Sequence, residues 1–208
     1  MSDMDALSPQ ARMARRFMRL PDAQRRAAYA KMREEGLTMG QFPILPRELQ
    51  DGEAEATQAP LSYAQMRQWF LWQMEPQGSA YHITGAFVLR GALDVPALEA
   101  AWRDVIARHA ALRTVFRADA EGHPHQQVLP SVEFGVHRID LSDLPEPERC
   151  ARAEAAARAC CETPFDLGEG PLLRVWLLRT GVEEHRLVVA MHHIVSDGWS
   201  MGVLIREF

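Results

Sequence analysis

Arg186-Leu187-Val188-Val189-Ala190-Met191-His192-His193-Ile194-Val195-Ser196-Asp197-Gly198 is an apolar run that ends in two histidines and a turn. Its length and its branched residues predict a buried β-strand over Arg186–Met191. Neighbouring strand side chains point to opposite faces. His192 and His193 therefore cannot readily share one metal or one substrate; one faces the interior and the other an opening. Asp197-Gly198 turns the chain, and the glycine permits close backbone approach. A histidine beside such a turn suits proton transfer, because its ordinary pKa is about 6.5. On these residues alone, two histidines satisfied by backbone carbonyls remain the simpler alternative. A zinc site is disfavoured, since the pair lacks the i, i+4 spacing of a metal-binding helix.

Working back from this stretch, Leu172–Leu178 predicts a second buried strand and Glu146–Cys161 an alanine-rich helix. Strands are expected over Gln126–Leu129 and Val132–Ile139, with a short one over Leu112–Phe116. Val95–Ala110 predicts a helix with Leu98, Trp102, Val105 and Ile106 on one side. Residues 81–90 read as a strand, and Ser62 as the N-cap of a helix through Trp72. Trp199–Phe208 begins another helix, inside which the chain stops, as a fragment of a larger domain would. The order is mixed α and β. His123, His125 and His137 fall in an expected hairpin and read as surface residues.

The first 38 residues predict a helical leader. Its first helix carries Met13, Phe17, Met18 and Leu20 as an apolar stripe, and its second runs from Pro21-Asp22 to Glu35, with Gly36 as C-cap. The arginines between Arg12 and Arg26 read as a solvated face, with a docking surface as the alternative. Prolines exclude a regular helix from residues 39–60, a linker expected to lie on the main domain through Phe42, Ile44 and Leu45. The main domain then covers residues 61–208.

Composition narrows the function. The chain has 208 residues, 47% hydrophobic and 25% charged, with a formal net charge of -5. Those values predict a packed core and argue against a nucleic-acid partner. No run is long and apolar enough for a membrane span. The N-terminus carries no secretory signal, so a cytoplasmic location is the default expectation. Cys150, Cys160 and Cys161 lack the spacing of a redox or zinc pair and read as structural thiols.

Three segments together resemble a known family. Ser62-Tyr63-Ala64-Gln65-Met66-Arg67-Gln68-Trp69-Phe70-Leu71 is similar to the first core motif of the condensation domains of nonribosomal peptide synthetases. Arg108-His109-Ala110-Ala111-Leu112-Arg113-Thr114-Val115-Phe116 resembles the second, with Ala110 where glutamate is common. Met191-His192-His193-Ile194-Val195-Ser196-Asp197-Gly198-Trp199-Ser200 resembles the third, the His-His-x-x-x-Asp-Gly signature. The third motif alone also occurs in chloramphenicol acetyltransferases and other acyltransferases; the three in order are far more specific.

The resemblance implies a mixed α/β fold, the N-terminal lobe of a chloramphenicol-acetyltransferase-like domain, preceded by a short helical leader. It implies amide-bond formation between substrates tethered to the 4'-phosphopantetheine of upstream and downstream peptidyl carrier proteins, with no cofactor or metal bound directly. An adjacent adenylation domain and a missing C-terminal lobe are the further expected partners, and the fragment alone is expected to be inactive. The first motif is similar to the subtype joining an L-donor to an L-acceptor. By resemblance, His193 is general base or hydrogen-bond acceptor for the attacking amine, and the Gly198 N–H stabilises the oxyanion. His192 supports the fold, and Asp197 is structural and pairs with Arg67 or Arg113. Core packing or scaffold ion pairs are expected for Arg67, Trp69, Arg113 and Trp199. Two alternatives stand: a stand-alone coenzyme A acyltransferase, and a non-catalytic platform for docking carrier proteins.

Overall fold

The computed structural model describes residues 8–38 and 58–208. They fall into two compact units that divide between those two stretches.

In the first unit, Ser8 Oγ accepts the Ala11 N–H at 3.2 Å and opens α1, Pro9–Met18. The second helix, α2, spans Asp22–Glu34. Gly36, at φ +76°, ends it: its N–H donates to Arg33 O while Leu37 N–H reaches Met32 O. This left-handed cap satisfies carbonyls that the helix itself cannot. The buried stripe of α1 differs from the expected one. Ala11 and Ala14 are buried and Phe17 is half-buried, whereas Met13 and Met18 are exposed. Met13 lies two positions from Ala11, about 200° round the helix, and so faces away from the stripe. Phe42, Ile44 and Leu45, expected to hold the linker, lie outside the described residues.

The second unit begins with β1 (Gln58–Pro60), α3 (Tyr63–Met74), β2 (His82–Arg90) and α4 (Val95–Arg108). A 3-10 turn over Ala110–Arg113 leads into β3 (Thr114–Ala118) and β4 (Pro124–Val128). Then follow β5 (His137–Asp140), α5 (Glu146–Glu162), β6 (Leu173–Arg179), β7 (Glu184–His192) and α6 (Gly198–Glu207). The main sheet has the order β2-β7-β6-β5, antiparallel except where β5 runs parallel to β6. A smaller antiparallel sheet has the order β1-β4-β3.

Three boundaries depart from expectation. Leu112 and Arg113 belong to the 3-10 turn, so the strand starts at Thr114. Only His137–Asp140 of the stretch 132–140 pairs, against β6. Gln58–Pro60, placed in the linker by its proline and polar residues, pairs with His125–Gln127 at a sheet edge, where a proline costs no ladder hydrogen bond.

The main sheet is packed on both faces. Strand alternation sends Val188 and Ala190 of β7 into a core with Trp69, Ala153, Cys160, Phe165 and Leu172. It sends Leu187, Val189 and Met191 into a second core with Leu98, Trp102, Val105, Ile106 and Leu204. Helices α3 and α5 thus cover one face, and α4 and α6 the other. Burial on both faces explains why β7 reads as an uninterrupted apolar run rather than an alternating one. Cys160 sits in the first core, where burial pushes its thiol up to about 11 and leaves it unreactive.

Candidate active site

Strand β7 carries the two histidines to the edge of these cores. His192 keeps the parity of Val188 and Ala190 and is 4% exposed. Its N–H donates to Leu172 O at 3.0 Å, and its Nδ1 accepts the Ile194 N–H at 3.1 Å. An accepting Nδ1 requires the neutral ring with its proton on Nε2. The electrostatics agree. Burial, then the neighbouring His82 and His193, pushes His192 down to about 4. His192 is thus a buried neutral clasp on the turn that follows it.

His193 has the opposite parity and is exposed. Its N–H donates to Tyr81 O at 2.8 Å. Its Nδ1 lies 2.6 Å from Ser196 O. A carbonyl only accepts, so Nδ1 carries the proton and Nε2 presents a lone pair. Among the described residues Nε2 has no hydrogen-bond partner. One histidine of the pair is therefore spent on structure, and the other is held in a fixed tautomer with its basic nitrogen available.

Asp197 does not make the expected ion pair. It caps α6: Oδ1 accepts the Ser200 N–H at 2.8 Å and the Ser200 hydroxyl at 2.7 Å. The Ser200 hydroxyl, followed by the Ser200 amide, holds this carboxyl below the usual carboxylate range. Arg113 instead donates to Leu129 O and Pro130 O. Arg67 is exposed on α3 and forms no ion pair with Asp197 among the described residues. An aspartate that opens a helix satisfies its charge on first-turn N–H groups and has little need of a guanidinium. Gly198, the first residue of α6, carries an N–H that no helical carbonyl can accept.

The second and third motifs meet in space. His109 and Leu112 line a pocket of ≈ 250 Å³ with Ser196, Trp199, Ser200 and Leu204. From the first motif, Gln65 closes a capping box with Ser62 and approaches Ile194 O at 3.5 Å. Trp69 is buried in the core as expected, but Trp199 is 83% exposed. Trp199 follows Gly198 at the start of α6, outside the stripe through which Leu204 packs. Asp119, Glu121 and His123 cluster at the tip of the β3–β4 hairpin. There Asp119 Oδ1 accepts the N–H groups of Glu121 and His123, the geometry of a side-chain-capped turn.

One residue of the site escaped the sequence. His82, at the start of β2, pairs directly with His192 across the ladder, and their rings lie 6.1 Å apart. Only strand pairing brings the two together, and no local motif announces it.

A family model for the condensation domain matches residues 55–208. Chondramide synthase of Chondromyces crocatus is 44% identical over 72% of the chain, and a linear gramicidin synthase of Brevibacillus parabrevis 42% over 71%. The chain spans only 4% and 2% of those two relatives. Among solved structures, the starter condensation domain of rhizomide synthetase superposes with TM-score 0.66 and 28% identity, over 73% of this chain and 38% of that one. The first condensation domain of the calcium-dependent antibiotic synthetase, bound to a substrate analogue, superposes with TM-score 0.65 and 28% identity, over 73% and 36%. The fold is thus that of the chloramphenicol-acetyltransferase-like condensation domains.

Proposed function

The chain belongs to the condensation-domain family, and we propose that it supplies the histidine-bearing lobe with which a nonribosomal peptide synthetase joins two carrier-bound substrates. The donor arrives as an acyl or peptidyl thioester on the 4'-phosphopantetheine of an upstream carrier protein. The acceptor is an aminoacyl thioester on a downstream carrier, loaded by an adenylation domain. The acceptor α-amine attacks the donor carbonyl and forms a C–N bond. The tetrahedral intermediate then collapses, the C–S bond breaks, and the thiol leaves on the upstream arm.

Holding two tethered reactants as an oriented pair lowers the barrier by several kcal/mol without any acid or base. An α-amine has a pKa near 8, so part of it is neutral at pH 7 and no strong base is required. What remains is the proton on the attacking nitrogen. His193 Nε2 accepts it, or orients the amine by accepting its hydrogen bond. The Gly198 N–H, at the positive end of α6, donates to the oxygen on which negative charge develops. Asp197 holds that helix end in place, and His192 holds the turn. Ser62-Tyr63-Ala64-Gln65 supports a donor and acceptor that are both L-configured. The second wall of the substrate tunnel comes from a C-terminal lobe outside these residues.

The observation that carries this reading is the His193 Nδ1 to Ser196 O bond of 2.6 Å, which leaves Nε2 as the only basic nitrogen of the ring. Loading both carriers of the intact synthetase and weighing the product tests it. A downstream carrier heavier by the donor acyl group is expected. Transfer to free coenzyme A or a free amine, with no mass gain on the downstream carrier, would overturn it.

A further inference from the structure

His82 occupies a position that the reaction above does not use. Its Nδ1 lies 2.8 Å from Cys161 O, so this nitrogen donates to a carbonyl in the last turn of α5. Such carbonyls have no partner within their own helix and need one from outside. The His82 ring meets Phe165 edge-on at 4.9 Å. Phe165 in turn lies 6.4 Å from the His192 ring. The three rings share one face of the sheet. Arg174 closes this cluster, with its guanidinium 4.2 Å above Phe165 and bonds to Thr163 O and Pro164 O at 3.0 and 2.8 Å.

Two links run from this cluster to His193. Tyr81, the residue before His82, offers the carbonyl that holds the His193 N–H at 2.8 Å. His192, facing His82, offers the Nδ1 that holds the Ile194 N–H at 3.1 Å. The N–H groups of His193 and Ile194 are thus held by Tyr81, the neighbour of His82 in the chain, and by His192, its partner across the ladder. The remaining His82 nitrogen, Nε2, is buried and has no hydrogen-bond partner among the described residues. A buried polar ring left half satisfied costs stability.

We propose that His82 is a positioning residue for His193, tying the start of β2 to the end of α5 and so fixing the backbone and tautomer of the turn that carries the His193 ring. This rests on the assignment of His193 to the attacking amine, but it is tested first without catalysis. In the 208-residue chain, the ¹⁵N shifts of His193 report which ring nitrogen carries the proton. Wild type is expected to show a single Nδ1–H form. His82→Leu, which removes both donor and ring, is expected to give a mixture of tautomers in a chain that still melts cooperatively. His82→Asn, whose amide can again donate to Cys161 O, is expected to restore the single form. In the intact synthetase His82→Leu should lower kcat on the order of 10-fold or more with KM for the acceptor carrier unchanged, and His82→Asn should recover most of it. An unchanged His193 tautomer in folded His82→Leu would overturn the proposal. So would a failure of His82→Asn to restore the single form. If His82→Leu shifts the tautomer while His193→Ala keeps full turnover, the positioning stands and the role given to His193 falls instead.

Discussion

His192 is buried and holds the turn that leads from β7 to α6. Its folded pKa of about 4, against an ordinary 6.5, sets a pH window for stability. Above pH 6.5, folded and unfolded chains both hold it neutral and nothing is lost. As pH falls from 6.5 toward about 4, the unfolded chain binds a proton that the folded chain refuses. Stability then declines, by on the order of 3 kcal/mol in all, and levels off below that window. His192→Asn, which keeps an acceptor for the Ile194 N–H but does not titrate, should lose this component. Urea unfolding of both chains across the window reads the difference; identical pH slopes would contradict it. Asp197→Ala should loosen the first turn of α6, seen as faster amide hydrogen exchange at Ser200, and lower turnover through Gly198. Asp197→Asn, still able to cap, should retain both. If Asp197 served as an ion-pair partner instead, the asparagine would fail as the alanine does.

At the scale of elements, Ser62→Ala breaks the capping box of α3 and should cost about 1 kcal/mol. Trp102→Ala empties the centre of the α4 face, where Trp102 is 3% exposed, and should cost about 3–5 kcal/mol. Denaturant titrations check both. Elements with a long apolar period were legible from the residues: Leu98, Trp102, Val105 and Ile106 of α4 are all buried, as their spacing implies. What the sequence hid depends on pairing. Strand β1 is three residues with no apolar pattern, and it exists because β4 offers it a ladder. His82 joins the site for the same reason. Asp197 departs from expectation for another reason. A carboxylate beside a motif suggests a charged partner, yet its place directly before a helix already offered it N–H groups. Trp199 was expected in the core by residue type, but its position in the first turn of α6 turns it outward.

At the scale of the molecule, one sheet does two jobs. Its two faces build two cores, and the parity of β7 separates the histidines at its end, burying His192 and exposing His193. The family match over residues 55–208 places this sheet in condensation domains, while the chain spans 36–38% of the two solved condensation-domain chains compared. The proposed catalysis is therefore to be measured in an intact synthetase that contains the chain. With both carriers loaded and product followed by mass in a single turnover, His193→Ala is predicted to abolish amide formation while its thermal melt matches wild type. Wild-type turnover by a folded His193→Ala enzyme would contradict the role assigned to this residue.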